Sequence, residues 1–181
     1  MSLLARLLAP PLFALIIAIA AQIAIPTPPD GIPITMHTLA VVMAALCIGP
    51  RLGTLSIVLY IAVGLVGAPV FARSGSGPEV LFGKTGGYII GFLFCPVVIA
   101  AIVRRPDGSI RGWGAMITAV LAAHAVVFLV GVPWLALVAG YTPWRAMEGG
   151  LFPFLPGMVL KSAIAVLLGR VAAPWAARRI W

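Results

Sequence analysis

From Trp113 to Val132 the chain runs twenty residues without an Asp, Glu, Lys or Arg. A helix needs about 20 mainly apolar residues to cross the hydrocarbon core of a bilayer. Lipid offers no partners to a backbone, so a spanning segment must satisfy its own polar groups, as a helix does. Similar apolar runs recur along the chain, at 4–25, 37–48, 52–66, 86–103 and 155–173. Together they predict an all-α integral membrane protein, a six-transmembrane-helix bundle forming one membrane domain over residues 1–181. The second and third runs are short and separated only by Gly49-Pro50-Arg51, so they must tilt or extend into their flanking loops. Composition closes the soluble alternative: 9% of residues are charged, against about 25% in soluble domains.

The breaks between runs carry turn chemistry. Pro26, Pro28, Pro29 and Gly31 follow the first helix, Ser74-Gly75-Ser76-Gly77-Pro78 lies after the third, and Arg105-Pro106-Asp107-Gly108 follows the fourth. Pro133 is expected to close the fifth helix, and Pro156 suits the first turn of the sixth, where its missing N–H costs nothing. A cleaved signal peptide is the alternative for the first run, since Arg6 precedes it. That run is longer than the usual 7–15-residue apolar region of such a peptide.

Charge then orients the bundle. The net charge of +8 comes from 12 basic and 4 acidic residues. The basic residues lie mostly between apolar runs and form no basic face, which argues against nucleic acid. With six helices, Arg6, Arg51, Arg104, Arg105, Arg111, Arg170, Arg178 and Arg179 fall on one side, and Arg73, Lys84 and Arg145 on the other. The positive-inside rule therefore puts both termini in the cytoplasm of a cell with a cytoplasmic (inner) membrane. Trp113 and Trp175 are expected at the cytoplasmic interface, and Trp134, Tyr141 and Trp144 at the outer one.

Lys161 is the residue that most invites a function. It lies about five residues into the sixth helix, and an ionisable group inside a membrane span is a functional-site candidate by default. The helix starts on the outer side, where its free N–H groups also favour an anion, so the two together suit a carboxylate. Gly157, Lys161, Ala165, Gly169 and Ala173 form an i, i+4 row of small residues, the mark of close helix packing, which turns Lys161 into the bundle. A lysine snorkelling to the headgroups is the alternative.

Other motifs carry less. Gly83-Lys84-Thr85 fails as a phosphate loop, because Pro78 stands where the first glycine is required. The stretch 71–88 is long for a plain connector, which favours a lid or binding role. His37 and His124 are isolated, and such residues more often satisfy a local hydrogen bond than bind metal. Cys47 and Cys95 read as small buried hydrophobes. Ala14 and Ala18 lie four apart on the first helix and suit either internal packing or a partner surface. The four acids, Asp30, Glu79, Asp107 and Glu148, all fall in predicted loops, which disfavours a secondary transporter with coupling-ion carboxylates at the midplane. A membrane enzyme would need a nucleophile–base or metal set, and the sequence displays none.

Three stretches resemble one family: PITMHTLAVVMAALCIGPRLGTLSIVLYIAVGLVGAPVFA (33–72), GKTGGYIIGF (83–92) and PFLPGMVLK (153–161). In combination they are similar to BioY, the biotin-specific S components of energy-coupling-factor (ECF) transporters. The resemblance implies a six-helix fold that binds biotin near the outer side without a cofactor, with the loops after helices 1 and 3 closing over it. It implies a ligand set of Lys161, Tyr88, Thr85, Gly86, Met158, His37 and Phe71. Tyr88 and Thr85 are candidates for polar contacts to the ring, and Lys161 for the carboxylate. It also implies a membrane coupling protein and a pair of ATPase subunits as partners, with Ala14 and Ala18 at the coupling surface. Three positions depart from the family pattern: Met158 replaces an acid, Lys84 a proline and His37 a carboxamide. An S component for another vitamin, a secondary transporter, and a membrane enzyme or assembly protein are the competing readings.

Overall fold

The computed structural model describes residues 3–27 and 32–181. Pro28, Pro29, Asp30 and Gly31 lie outside the described residues. The helices are α1 (Leu3–Gln22), α2 (His37–Leu65), α3 (Pro78–Phe82), α4 (Gly86–Phe92), α5 (Cys95–Val103), α6 (Trp113–Ala139), α7 (Pro143–Gly150) and α8 (Leu155–Arg179). The all-α membrane architecture is as the apolar runs predict. Long apolar spans lie at His37–Leu65, Gly86–Val103 and Trp113–Ala139, and within Pro143–Arg179.

α2 is two helices in one. Gly49 sits inside it at φ 81, ψ −179, a left-handed region that glycine enters without a Cβ penalty, and Pro50 follows. A continuous helix would hold residues 37 and 60 about 34 Å apart, at 1.5 Å per residue. Instead the His37 and Tyr60 side chains meet at 2.7 Å. Gly53 lies so close to the other leg that a Cβ on it would stand 3.3 Å from the Ala45 backbone. The element is therefore an antiparallel hairpin, and its legs are the second and third helices of the sequence reading.

Several boundaries differ from those the sequence suggests. α1 stops at Gln22, and Ala24–Ile25 pairs antiparallel with Ile34–Thr35 as a two-residue ribbon. Pro133 does not close the fifth helix, which continues through it to Ala139. It ends at Gly140, at φ 66, whose N–H donates to the Ala136 carbonyl. Proline is tolerated inside membrane helices because neighbouring groups re-satisfy the freed carbonyl. α8 likewise runs past Ala173 and through Pro174. Glu79 and Glu148 lie in the short helices α3 and α7 rather than in loops.

Small residues make the seams. Ala165, Gly169 and Ala173 of the predicted row are buried, and a Cβ on Gly169 would stand 2.6 Å from Leu46 Cδ1. Between α4 and α6, a Cβ on Gly91 would lie 2.9 Å from Val127 Cα, and one on Gly131 2.5 Å from the Tyr88 ring. Gly87 and Gly91 of the GKTGGYIIGF stretch thus let α4 lie directly on α6. Cys95 is buried in the same region with Sγ near the Gly91 and Ala123 carbonyls, as its apolar setting suggested, whereas Cys47 is only half-buried.

The two ends of the bundle differ in charge. At one end Arg170 donates to the Arg111 carbonyl at 2.9 Å and lies over the exposed Trp113 ring, and Arg179 lies over Trp175. At the other end Lys84 and Arg145 flank Tyr141, and Arg145 pairs with Glu148 at 3.7 Å. Trp134 lies next to Lys84 at this same end. It is half-buried, and its Nε1 donates to the Gly83 carbonyl at 2.9 Å.

Candidate functional site

At the end that carries Lys84 and Tyr141, α4, α6, α8 and the first leg of α2 part around a cavity of about 300 Å³, the size at which small-molecule sites begin. Its walls are largely apolar, with Ile89, Phe92, Val127, Phe128, Phe154 and Met158 among them. Ile32 and Pro33 and parts of 72–85 form its rim, and Thr35 lies deeper, beside Lys161.

The floor is polar. Lys161 is 6% exposed and lines the cavity. Its Nζ donates one hydrogen bond, to the Thr35 carbonyl at 3.0 Å, and two of the three ammonium donors remain. Among the described residues the acid on the cavity wall is Glu79, exposed at the rim. A buried ammonium facing one neutral carbonyl is only partly compensated for the water it has lost. Met158, standing where the family pattern has an acid, is a neutral part of the wall.

His37 also lines the cavity, but both its ring nitrogens are engaged: Nε2 with Tyr60 Oη at 2.7 Å and Nδ1 with Thr35 Oγ1 at 3.3 Å. The ring stacks edge-on to Tyr60 and leans on Phe92, so it offers a ligand a surface rather than a free nitrogen. Tyr88 lines the wall and stacks on Phe154. Its hydroxyl donates to the Gly150 carbonyl at 2.9 Å, which leaves that oxygen as an acceptor only. Thr85 lines the wall with its hydroxyl donating to the Val80 carbonyl at 3.3 Å.

Gly86 and Phe71 of the predicted ligand set stand outside the cavity wall. Gly86 is tight against the Leu81 carbonyl, which leaves no room for a Cβ. Phe71 is fully buried and packs edge-on against Tyr60 and over Gly64. Ala14 and Ala18 are half-buried against the core, while Leu8, Leu12, Leu15 and Ile19 form the exposed side of α1.

The sequence reading missed three kinds of residue. Arg73 and Lys84 are exposed residues that line the rim of the cavity. Gln22, at the end of α1, donates to the Val70 and Phe71 carbonyls at 3.2 and 3.1 Å, and accepts from the Ser74 N–H at 3.0 Å. It thereby holds a segment where Arg73 and Ser74 adopt φ 60 and 57, a region that costs a non-glycine residue free energy. Finally, Thr38 and His124 line the cavity, and among the described residues Thr38 Oγ1 and His124 Nε2 are buried with no hydrogen-bond partner.

The BioY family model matches residues 3–178. The chain belongs to the BioY family. A solved structure described as the S-component for biotin from an ECF-type ABC transporter superposes with a TM-score of 0.84 at 26% identity, covering 94% of this chain and 93% of that one. A curated relative from Pyrococcus horikoshii, named "Probable biotin transporter BioY", is 35% identical over 87% of this chain and 89% of its own length. The "Biotin transporter BioY" of Rhodobacter capsulatus is 32% identical over 90% and 89%. Like these BioY relatives, the chain is a multi-pass membrane protein of a transporter family and not an enzyme.

Proposed function

We propose that the chain captures biotin from the outer side of the cytoplasmic membrane and serves as the substrate-specific component of an ECF-type uptake system. The buried ammonium of Lys161, with two of its three donors free, in an apolar-walled cavity carries this reading. Biotin has an apolar ring body, a cyclic urea and a carboxylate on a flexible chain, so such a cavity can enclose the body and meet a polar end. Titration of the purified chain with biotin in a calorimeter should give saturable binding that thiamine and riboflavin do not displace. Binding of another vitamin with no heat from biotin would overturn the assignment.

Two seatings of biotin are available. In the first, the carboxylate pairs with Lys161 as the sequence suggests. In the second, the urea ring goes to the floor and the carboxylate to Arg73 and Lys84 at the exposed rim. The floor itself favours the second. A carboxylate accepts hydrogen bonds and donates none, so it cannot meet the unpartnered His124 Nε2. A urea both donates and accepts, and its carbonyl can take a hydrogen bond from Lys161.

The two ends of the bundle support an orientation with the arginine-rich end in the cytoplasm, together with both termini. A reporter active only outside the cytoplasmic membrane should be silent when fused after Trp181; strong activity there would reverse the topology. A membrane coupling protein and ATPase subunits would supply the energy, with Ala14 and Ala18 on α1 at the coupling surface, and the whole chain would act as one membrane domain.

A further inference from the structure

We propose that His124 is the residue that reads a ring N–H of the ligand, with its Nε2 as the acceptor and the Thr38 hydroxyl as a second polar contact. The inference builds on the biotin reading and assigns a role to a residue that the sequence motifs leave aside. His124 lies in the middle of α6, is 2% exposed and lines the cavity. Its Nδ1 lies 2.9 Å from the Val120 carbonyl, one turn back on the same helix. A carbonyl oxygen only accepts, so this contact requires the proton on Nδ1. Ser162 Oγ, at 3.5 Å from the same nitrogen, is compatible with that tautomer.

The consequence falls on the other nitrogen. With Nδ1 protonated, the neutral ring has an unprotonated Nε2, an acceptor without a donor. A buried polar atom left without a partner is costly, and such atoms in folded proteins ordinarily have one, from the protein, ordered water or a bound group. Thr38 Oγ1, equally buried and unpartnered on the wall of the same cavity, can donate and accept. With the two free donors of Lys161, the pocket holds one acceptor, one amphoteric hydroxyl and one cationic donor. A cyclic urea has two N–H donors and one carbonyl, which complements that set; a carboxylate has no group for His124.

The test is calorimetric titration of the full chain in detergent with three probes: biotin and two cyclic carbamate analogues, each with one ring N–H replaced by oxygen. One carbamate should bind the wild type at least ten-fold more weakly than biotin, because an oxygen then faces the Nε2 lone pair. His124→Phe should weaken biotin about 5- to 100-fold, the span for a buried hydrogen bond lost to one partner, and should erase the gap between biotin and that carbamate. His124→Gln, which restores an acceptor, should recover part of both effects. If His124→Phe leaves biotin affinity within two-fold, or weakens all three probes equally, His124 reads no N–H. If His124→Phe does not fold, the wild type decides: equal affinity for biotin and both carbamates overturns the proposal. A wild type that binds no biotin removes the functional reading itself, an outcome distinct from the others.

Discussion

α8 does opposite things in its two halves. In the half near the basic end, Ala165, Gly169 and Ala173 face inward and are buried, and the helix lies against Leu46 and Met116 with no room for a further methyl group. In the half near the cavity the same inward row continues with Lys161, beside Met158 and Ser162, and the neighbouring helices stand apart around open space. In lipid, helices gain little from hiding apolar surface from one another, so contact comes from van der Waals packing of small residues. Where the row is small, the bundle closes; where it carries a long cation, a site remains.

The largest effect should come from filling a closed seam. Gly91 on α4 faces the α6 backbone, with Val127 Cα at 2.9 Å from where a Cβ would be, and a backbone cannot rotate aside. Gly91→Val should therefore cost about 3 kcal/mol, the upper end for overpacking, or about 6–12 °C in melting temperature for a chain of this length. An unchanged thermal transition in detergent would mean that α4 and α6 are not held this close.

The open half should tolerate a smaller residue but lose its ligand. A hydrogen bond to a charged group contributes about 1.5–3 kcal/mol, so Lys161→Ala should weaken biotin about 10- to 150-fold with the fold retained. Lys161→Arg should recover only part of this, because a planar fork does not replace a compact ammonium. Biotin amide sharpens the comparison between seatings. With the ring on the floor, Lys161→Ala weakens acid and amide alike. If instead the acid loses far more than the amide, the carboxylate sits on Lys161.

The smallest effect on binding is expected on α1, which contributes no residue to the cavity lining. Ala14→Leu enlarges a half-buried position on α1. It should leave biotin affinity within about two-fold while lowering uptake in cells that contain the coupling partners. Loss of both together would assign Ala14 to packing inside the bundle.

The closed half was the more legible one in sequence. Small residues four apart announce a packed helix face, and Gly49-Pro50 announced the hairpin turn, because both are local patterns. Lys161 was legible for the same reason: a cation inside an apolar run stands out wherever its partners are. The open half depends on contacts between distant segments. Tyr88 is a candidate ring contact and lines the cavity, but the binding of its hydroxyl to Gly150, 62 residues further on, is signalled by nothing near Tyr88. His124 was read as satisfying a local hydrogen bond, which is true of Nδ1, but the state of Nε2 depends on what the neighbouring helices leave empty. Pro133 was misread as a stop because the rule came from water, where a broken ladder stays unsatisfied.

Three of the hydrogen bonds of Gln22 run to the backbone of residues 70–74 and tie the cavity rim to α1. Val70, Phe71 and Ser74 are gripped mainly by backbone atoms, with the Ser74 hydroxyl donating to Gln22 Oε1 at 3.4 Å as well, and the grip leads straight into Arg73 on the rim. A helix that slides or tips in the bilayer would drag this rim with it, and a rim pulled down over a seated ligand would in turn load α1. The outer surface of α1, exposed along Leu8, Leu12, Leu15 and Ile19, is thus tied through Gln22 to the segment that borders the cavity.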